Sequence, residues 1–371
     1  MNLSEITPAI FAGLGISQYE TRLGISPNGR EVLFLIDGFG ANALDDFEDL
    51  IPNIIQGKSF GDVLTAFPST TSTSLATLMT GSMPNAHGML GYTVRVPHSS
   101  GRVLNALKWD ERIDPVIWQP KETFFEIGAK QGINVAHVAA KRYEDTGFTR
   151  AVFRGAKYRG ANLYPDLVTE TYEALKQTPA FVYLYVNDLD VAGHVAGYGS
   201  EKWLEALKMI DNLVGQLHAK LPKGTRIWIT GDHGMINVGR KIVIGRENLL
   251  MTEVATIAGE PRARHIYLSR PEISSEVAAL WRSELGESAA VYTRAEAIEG
   301  NLFGLPMPDN FAERAGDLIA IVKDNSILVD PAREKLESAM VGHHGALSDI
   351  ERTVPLTVSY THLRAHETRE D

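Results

Sequence analysis

The sequence predicts a doubly wound α/β fold: a mostly parallel sheet with helices on both faces, interrupted by a small α+β insertion. Three observations point to it. Short β-branched and apolar runs end in acidic or glycine-rich turns, amphipathic segments separate those runs, and the alternation breaks between about 243 and 315.

The first run, EVLFLIDGFG, reads as a buried strand ending at Asp37, with a helix following from about Asn42. The stretch FPSTTSTSLATLMTG comes next. Pro68 favours an extended residue before it, and Leu75 to Met79 continue as helix, so Ser69 to Thr73 fall at a helix N-terminus. NVAHVAA (134–140) is a weaker strand, AFVYLYVNDLD a stronger one ending near Asp188 or Asp190, and RIWITGDHGM another ending at Asp232. Continuous apolar runs of this length suit a parallel sheet buried on both faces. Between the last two, EKWLEALKMIDNLVGQLHAKL (201–221) puts Trp203, Leu204, Leu207, Ile210, Leu213, Val214 and Leu217 on one side of a helix.

After about 242 the segments ARHIYL, SSEVAALWRSELGE and AAVYTRAEAIEGNLFG suggest a cap-like α+β insertion over 243–315. The strand GDLIAIV (316–322) is expected to return the chain to the core, which residues 1–242 and 316–358 then share. A strand begins at TVPLTV. The closing SYTHLRAHETRED (359–371) is polar and without apolar period; it is read as a non-native tail, and His362 and His366 are not taken as ligands.

Composition narrows the chemistry. The 371 residues include no Cys, which excludes thiol catalysis, Cys-ligated zinc and disulfides. A net charge of −10 argues against nucleic-acid polymers and anionic lipid as partners. It leaves room for a small phosphate substrate, because bound cations reverse a local field. No basic n-region with an apolar run begins the sequence and no stretch is apolar enough to span a membrane, so a cytoplasmic location is expected.

In doubly wound sheets ligands collect at strand carboxyl ends, where Asp37, Asp190 and Asp232 all fall. Histidines accompany them: His194 in DVAGH, His233 in GDHGM and His344 in GHHGAL. Three carboxylates and three imidazoles suit two divalent ions of the zinc type, with manganese an alternative. Each cluster taken singly has a plainer explanation, since an Asp after a strand is commonly a turn or cap residue and a His a structural one. Their joint occurrence in this order is what points to a site. The hydroxyl run has a plain explanation too, as Ser and Thr are favoured N-caps. Beside paired metals, however, a hydroxyl at a helix N-terminus can become a nucleophile facing a bound anion.

Together the motifs LIDGFG, FPSTTSTSLATLMTG, DVAGH, DHGM and the late HG resemble the alkaline phosphatase superfamily, and within it the nucleotide pyrophosphatase/phosphodiesterase branch. The resemblance implies an alkaline phosphatase-like sheet and two-step phosphoryl transfer on a phosphodiester or pyrophosphate. It implies Thr71 as nucleophile, since that position lies nine residues before Thr80 of the closing TG. Asp37, Asp232 and His233 would then bind one zinc beside Thr71, and Asp190, His194 and His344 the other. His344 is preferred to His343 because it directly precedes Gly345, and Asp188 and His343 become decoys.

Two departures stand out. The family's Asn, 21 residues after the nucleophile, is Tyr92 here, and Arg142, Arg154 and Arg159 are undistinguished candidates for a phosphate-binding arginine. Tyr92 and Phe39 are the candidates for substrate contact, by hydrogen bonding or by stacking on a base. No C/S-x-P-x-R motif is present, which argues against a sulfatase. The competing readings are a phosphomonoesterase or phosphonate hydrolase of the same superfamily, and a binding protein that has lost turnover.

Overall fold

The structure is a computed structural model and describes residues 1–20, 23–331 and 333–361. At its centre is a seven-stranded sheet in the order Lys58–Leu64, Thr353–Tyr360, Arg226–Gly231, Arg30–Ile36, Ala180–Val186, Asn134–Ala139, Lys157–Gly160. Arg30–Ile36 pairs in parallel with both Ala180–Val186 and Arg226–Gly231, while Thr353–Tyr360 runs antiparallel to its two neighbours.

The central strand shows why the sequence folds this way. Residues 32–36 are fully buried, and alternate side chains enter opposite layers. Leu33 and Leu35 join one core, which the Ile6–Gly13, Thr71–Thr80 and Phe124–Lys130 helices cover. Val32, Phe34 and Ile36 join the other, under the Tyr164–Ala174 and Glu201–Lys220 helices. The Glu201–Lys220 helix buries Trp203, Leu207, Ile210, Leu213, Val214 and Leu217, the face expected from its period; Leu204 is only partly buried. No helix among the described residues is long and apolar enough to cross a membrane.

The insertion differs from expectation at its far end. Leu318–Val322, the expected return strand, pairs with Ala263–Leu268 and Ala289–Thr293 inside a four-stranded antiparallel sheet that Val254–Glu260 completes. Ser326–Val329 also stays outside the main sheet and pairs with Arg240–Val243. The small sheet and the Ser274–Leu285 helix enclose a third core around Trp281. An apolar run reads alike in either sheet, and only its partner strand tells them apart. The chain rejoins the large body at Gly342–His343, which pairs with Ile236–Asn237. The last strand continues past Val358, for Ser359 pairs with Ile227 and Tyr360 with Arg226. The remaining tail histidines, His362 and His366, lie outside the described residues.

Candidate metal centre

Three adjacent strands of the sheet, Arg226–Gly231, Arg30–Ile36 and Ala180–Val186, end side by side. Asp232, Asp37 and the Asp188–Ala196 helix that carries Asp190 and His194 follow directly from those ends. Side chains from distant parts of the sequence meet there because neighbouring parallel strands deliver them to one edge. Glycines make the approach close: a Cβ on Gly231 would sit 2.2 Å from the Phe39 carbonyl oxygen, and one on Gly234 2.0 Å from that of Ile350.

Asp37, Asp232 and His233 form one group and Asp190, His233 and His344 a second, the ligand atoms of each lying within 4.8 Å of one another. His233 thus stands between the two. Its Nε2 lies 3.5 Å from Asp37 Oδ1 and from Asp232 Oδ2, and its ring stacks on that of His344 with centroids 3.5 Å apart. His194 Nε2 approaches Asp190 Oδ1 at 3.3 Å, and His344 Nε2 lies 3.9 Å from the same oxygen. All six expected ligands are therefore gathered.

The three imidazoles share one device. Nδ1 of His194 donates to the Gly342 carbonyl at 2.8 Å, that of His233 to Gly234 at 3.0 Å, and that of His344 to Ser69 at 2.9 Å. A carbonyl only accepts, so each Nδ1 carries a hydrogen, which leaves each Nε2 facing the carboxylates as the ring's ligand atom. His343 is wired the opposite way: its Nε2 donates to the Glu337 carbonyl at 2.9 Å.

The carboxylates complete the fit. Asp37 Oδ1, Asp190 Oδ1 and Asp232 Oδ2 are buried and meet no hydrogen-bond donor among the described residues. Burial pushes the Asp37 carboxyl well above its ordinary range, and Asp232 and Asp190 add repulsion. Burial likewise raises Asp232, against the pull of His233 and the Gly38 N–H. Burial lowers His344 well below the usual imidazole range, reinforced by His233 and His194. Orphaned carboxylate oxygens beside imidazole Nε2 atoms form a donor set that fits divalent cations.

Thr71 opens the Thr71–Thr80 helix, and its Oγ1 lies 3.2 Å from His233 Nε2. It is the only one of the six hydroxyl residues from Ser69 to Ser74 that is not buried. Ser69 instead donates to the Ala346 carbonyl at 2.7 Å and Thr73 to that of Met89 at 3.1 Å. Tyr92 lines the cleft that also holds Thr71, Asp190, His194 and His344.

Phe39 is a correction. Its side chain is fully buried in the core beneath the Glu201–Lys220 helix and lines none of the cavities beside Thr71, so it has no face to offer a substrate. A strand–turn residue beside a ligand looks exposed in sequence, but here the turn folds it inward. Of the arginines, Arg154 is bound to Glu126 and the Gln119 and Ala151 carbonyls, and Arg159 to Glu170. Arg142 reaches the vicinity, donating to Asn187 Oδ1 at 2.9 Å.

Sequence reading missed two residues. Tyr185 donates a short hydrogen bond to Asp37 Oδ2; the alternation of AFVYLYV could have placed Tyr183 and Tyr185 on one face. Glu260, at the end of an insertion strand, enters the same cleft as Thr71. Burial pushes its carboxyl up to about 8, opposed by hydrogen bonds from the Tyr92 N–H and the Thr70 hydroxyl. No local signal marked it.

Comparison with known proteins adds a family. A family model described as type I phosphodiesterase / nucleotide pyrophosphatase matches residues 32–347. Among curated proteins, mouse ectonucleotide pyrophosphatase/phosphodiesterase family member 3 is 26% identical over 219 residues, 55% of this chain and 24% of that protein. Venom phosphodiesterase 2 of Crotalus adamanteus is 25% identical over 219 residues, 55% of this chain and 26% of that protein. The aligned region is thus about a quarter of those relatives' length. Among solved structures, murine ectonucleotide pyrophosphatase/phosphodiesterase 5 shares the fold, with a TM-score of 0.71 at 18% identity over 88% of this chain and 87% of that one. An inactive variant of the same murine protein, in complex with AMP, gives a TM-score of 0.70 at 17% identity, over 88% of this chain and 87% of that one.

Proposed function

With residues 32–347 matching its model, the chain belongs to the type I phosphodiesterase / nucleotide pyrophosphatase family, and we propose that it hydrolyses phosphodiester or pyrophosphate bonds of nucleotide-like molecules through Thr71. One juxtaposition carries this reading: a hydroxyl at a helix N-terminus lies within hydrogen-bond distance of the histidine that joins two groups of metal-type donors. The names of the relatives and the AMP complex of the murine protein support the substrate class.

Asp37, Asp232, His233 and Thr71 would hold one divalent ion, and Asp190, His194 and His344 the other. Such ions supply Lewis acidity, which acidifies a hydroxyl and neutralises charge on phosphate oxygens. Zinc suits the mixed nitrogen and oxygen donors, and manganese is the alternative.

The chain's own part is positional. Thr71 Oγ1 forms a bond to phosphorus as the bond to the outgoing oxygen breaks on the opposite side, leaving a phosphothreonine. Water then attacks the same phosphorus, the bond to Oγ1 breaks, and the threonine hydroxyl regains its proton. The positive end of the Thr71–Thr80 helix dipole favours the anion throughout. The Nδ1 bonds of His194, His233 and His344 hold the rings in one tautomer, and Tyr185 fixes the Asp37 carboxylate.

A diester is favoured over a monoester by what is missing around Thr71. Among the described residues, no Lys or Arg lines either cavity that includes Thr71, so no side-chain cation clamps a dianionic phosphate.

Zinc-loaded protein should hydrolyse bis-p-nitrophenyl phosphate faster than p-nitrophenyl phosphate and carry about two zinc ions per chain by elemental analysis. Thr71→Ala should lower kcat on the order of a thousandfold or more while leaving the circular dichroism spectrum intact. Monoester preference would overturn the diester assignment. Protein that takes up no metal and turns over neither ester would overturn the enzyme itself.

A further inference from the structure

The Asp37, Asp190 and Asp232 carboxylates each keep a buried oxygen without a donor among the described residues. Glu351, fully buried against the Gly234 turn, has none to spare. Its Oε1 accepts from Arg262 Nε at 3.0 Å and from the Ala346 N–H at 3.0 Å, and its Oε2 from Arg262 Nη2 at 2.7 Å and from the Ser348 hydroxyl. Four donors fill the lone-pair positions of a carboxylate, so Glu351 is placed to hold protein and not a cation. Arg262 is anchored as fully: its Nη1 donates to the Ser326 carbonyl at 2.7 Å and to that of Asp324.

Two hydrogen-bonded paths run from Glu351 to imidazoles of the site. Through the backbone, the Glu351 carbonyl accepts from the Gly234 N–H at 2.8 Å, and the Gly234 carbonyl accepts from His233 Nδ1 at 3.0 Å. Through the side chain, Oε1 holds the Ala346 N–H, the Ala346 carbonyl accepts from the Ser69 hydroxyl at 2.7 Å, and the Ser69 carbonyl accepts from His344 Nδ1 at 2.9 Å. The two rings at the ends of these paths stack with centroids 3.5 Å apart. His233 belongs to both donor groups and His344 to the second. The partner of Nδ1 sets the ring's orientation, and with it the direction of Nε2.

Resting on the reading of these groups as a metal pair, we propose that Glu351, held by Arg262 of the insertion, is a positioning residue for that pair. It fixes the His344 ring relative to His233, and so sets the affinity for the ion assigned to Asp190, His194 and His344. The insertion thereby acts on the metal site without touching metal or substrate. The backbone path survives any substitution of Glu351, whereas the side-chain path does not, so the effect falls on the ion held by His344.

Comparing zinc affinity with fold stability separates positioning from a merely structural role. Zinc-loaded protein is titrated with a competing chelator, and unfolding is followed in urea, for wild type, Glu351→Ala, the double variant Arg262→Met with Glu351→Leu, and Ser69→Ala. The double variant strands no charge and should be more stable than Glu351→Ala, yet it offers the Ala346 N–H no acceptor. One of the two zinc equivalents should therefore bind about 10- to 100-fold more weakly in both, and the visible spectrum of the cobalt(II)-loaded double variant should depart from that of wild type. Ser69→Ala cuts the same path with the ion pair intact. It should weaken the same equivalent about tenfold, and it decides the matter should the double variant fail to fold. Wild-type zinc affinity in the double variant, or in Ser69→Ala, overturns the positioning role while leaving the metal pair standing. A wild type that binds no zinc overturns both.

Discussion

Adjacent histidines show how much a single hydrogen bond decides. His343 and His344 are neighbours in sequence, yet His344 donates through Nδ1 to Ser69 and points Nε2 at Asp190, whereas His343 donates through Nε2 to Glu337. His344→Ala should therefore abolish one metal equivalent in elemental analysis and reduce turnover by orders of magnitude. His343→Ala should retain both metals, with activity changed by about tenfold at most; loss of a metal equivalent there would reverse the assignment. Tyr185→Phe removes the donor to Asp37 Oδ2 without changing shape. It should weaken metal affinity about 10- to 100-fold in competition with a chelator, with little effect on the fold.

Between elements, the critical connection is a buried ion pair. Arg262 of the insertion donates to both oxygens of Glu351, at 3.0 and 2.7 Å, and Glu351 Oε1 also accepts from the Ala346 N–H at 3.0 Å. The Glu351 carbonyl accepts from the Gly234 N–H at 2.8 Å, next to His233. One residue thus braces the loop after His344, the turn after His233 and the small sheet. Glu351→Ala strands a guanidinium that is 1% exposed and should cost about 3–5 kcal/mol in urea denaturation. Replacing both partners, Arg262→Met with Glu351→Leu, should recover much of that loss, because no uncompensated charge remains. An additive double variant would show that the pair is not the brace. The insertion extends further than its sequence suggests because Leu318–Val322 reads as a core strand while its partners, Ala263–Leu268 and Ala289–Thr293, are themselves insertion strands.

For the whole molecule, buried titratable groups set a pH window. Burial holds His137 neutral down to about 3, and burial with Arg314 does the same for His87. Burial brings His265 down to about 4. An unfolded imidazole titrates near 6.5, so the stabilisation from these neutral rings is complete above about pH 6.5 and is lost as pH falls toward their folded values, at about 1.4 kcal/mol per pH unit for each. Glu31 runs the other way: burial raises it to about 8, so its contribution is full below about pH 4.5 and declines as pH rises through 8. Stability should peak between the two limbs. His137 packs among Phe153, Tyr158 and Tyr183. His137→Phe should therefore reduce the slope of the acid limb in urea titrations between pH 4.5 and 6.5, and an unchanged slope would contradict the assignment.

The sequence by itself determined the layered α/β architecture and the residue types of the site, because buried parallel strands must be apolar throughout and their acidic ends stand out against that background. Asp37, Asp190, Asp232 and the histidines were legible for that reason, and so was the helix opening at the hydroxyl run. Tertiary structure alone decided that Phe39 turns inward, that Glu260 of the insertion reaches the cleft, and which sheet holds Leu318–Val322. Each of those depends on a partner far away in the chain, and the local pattern of a segment carries no record of the surface it will meet.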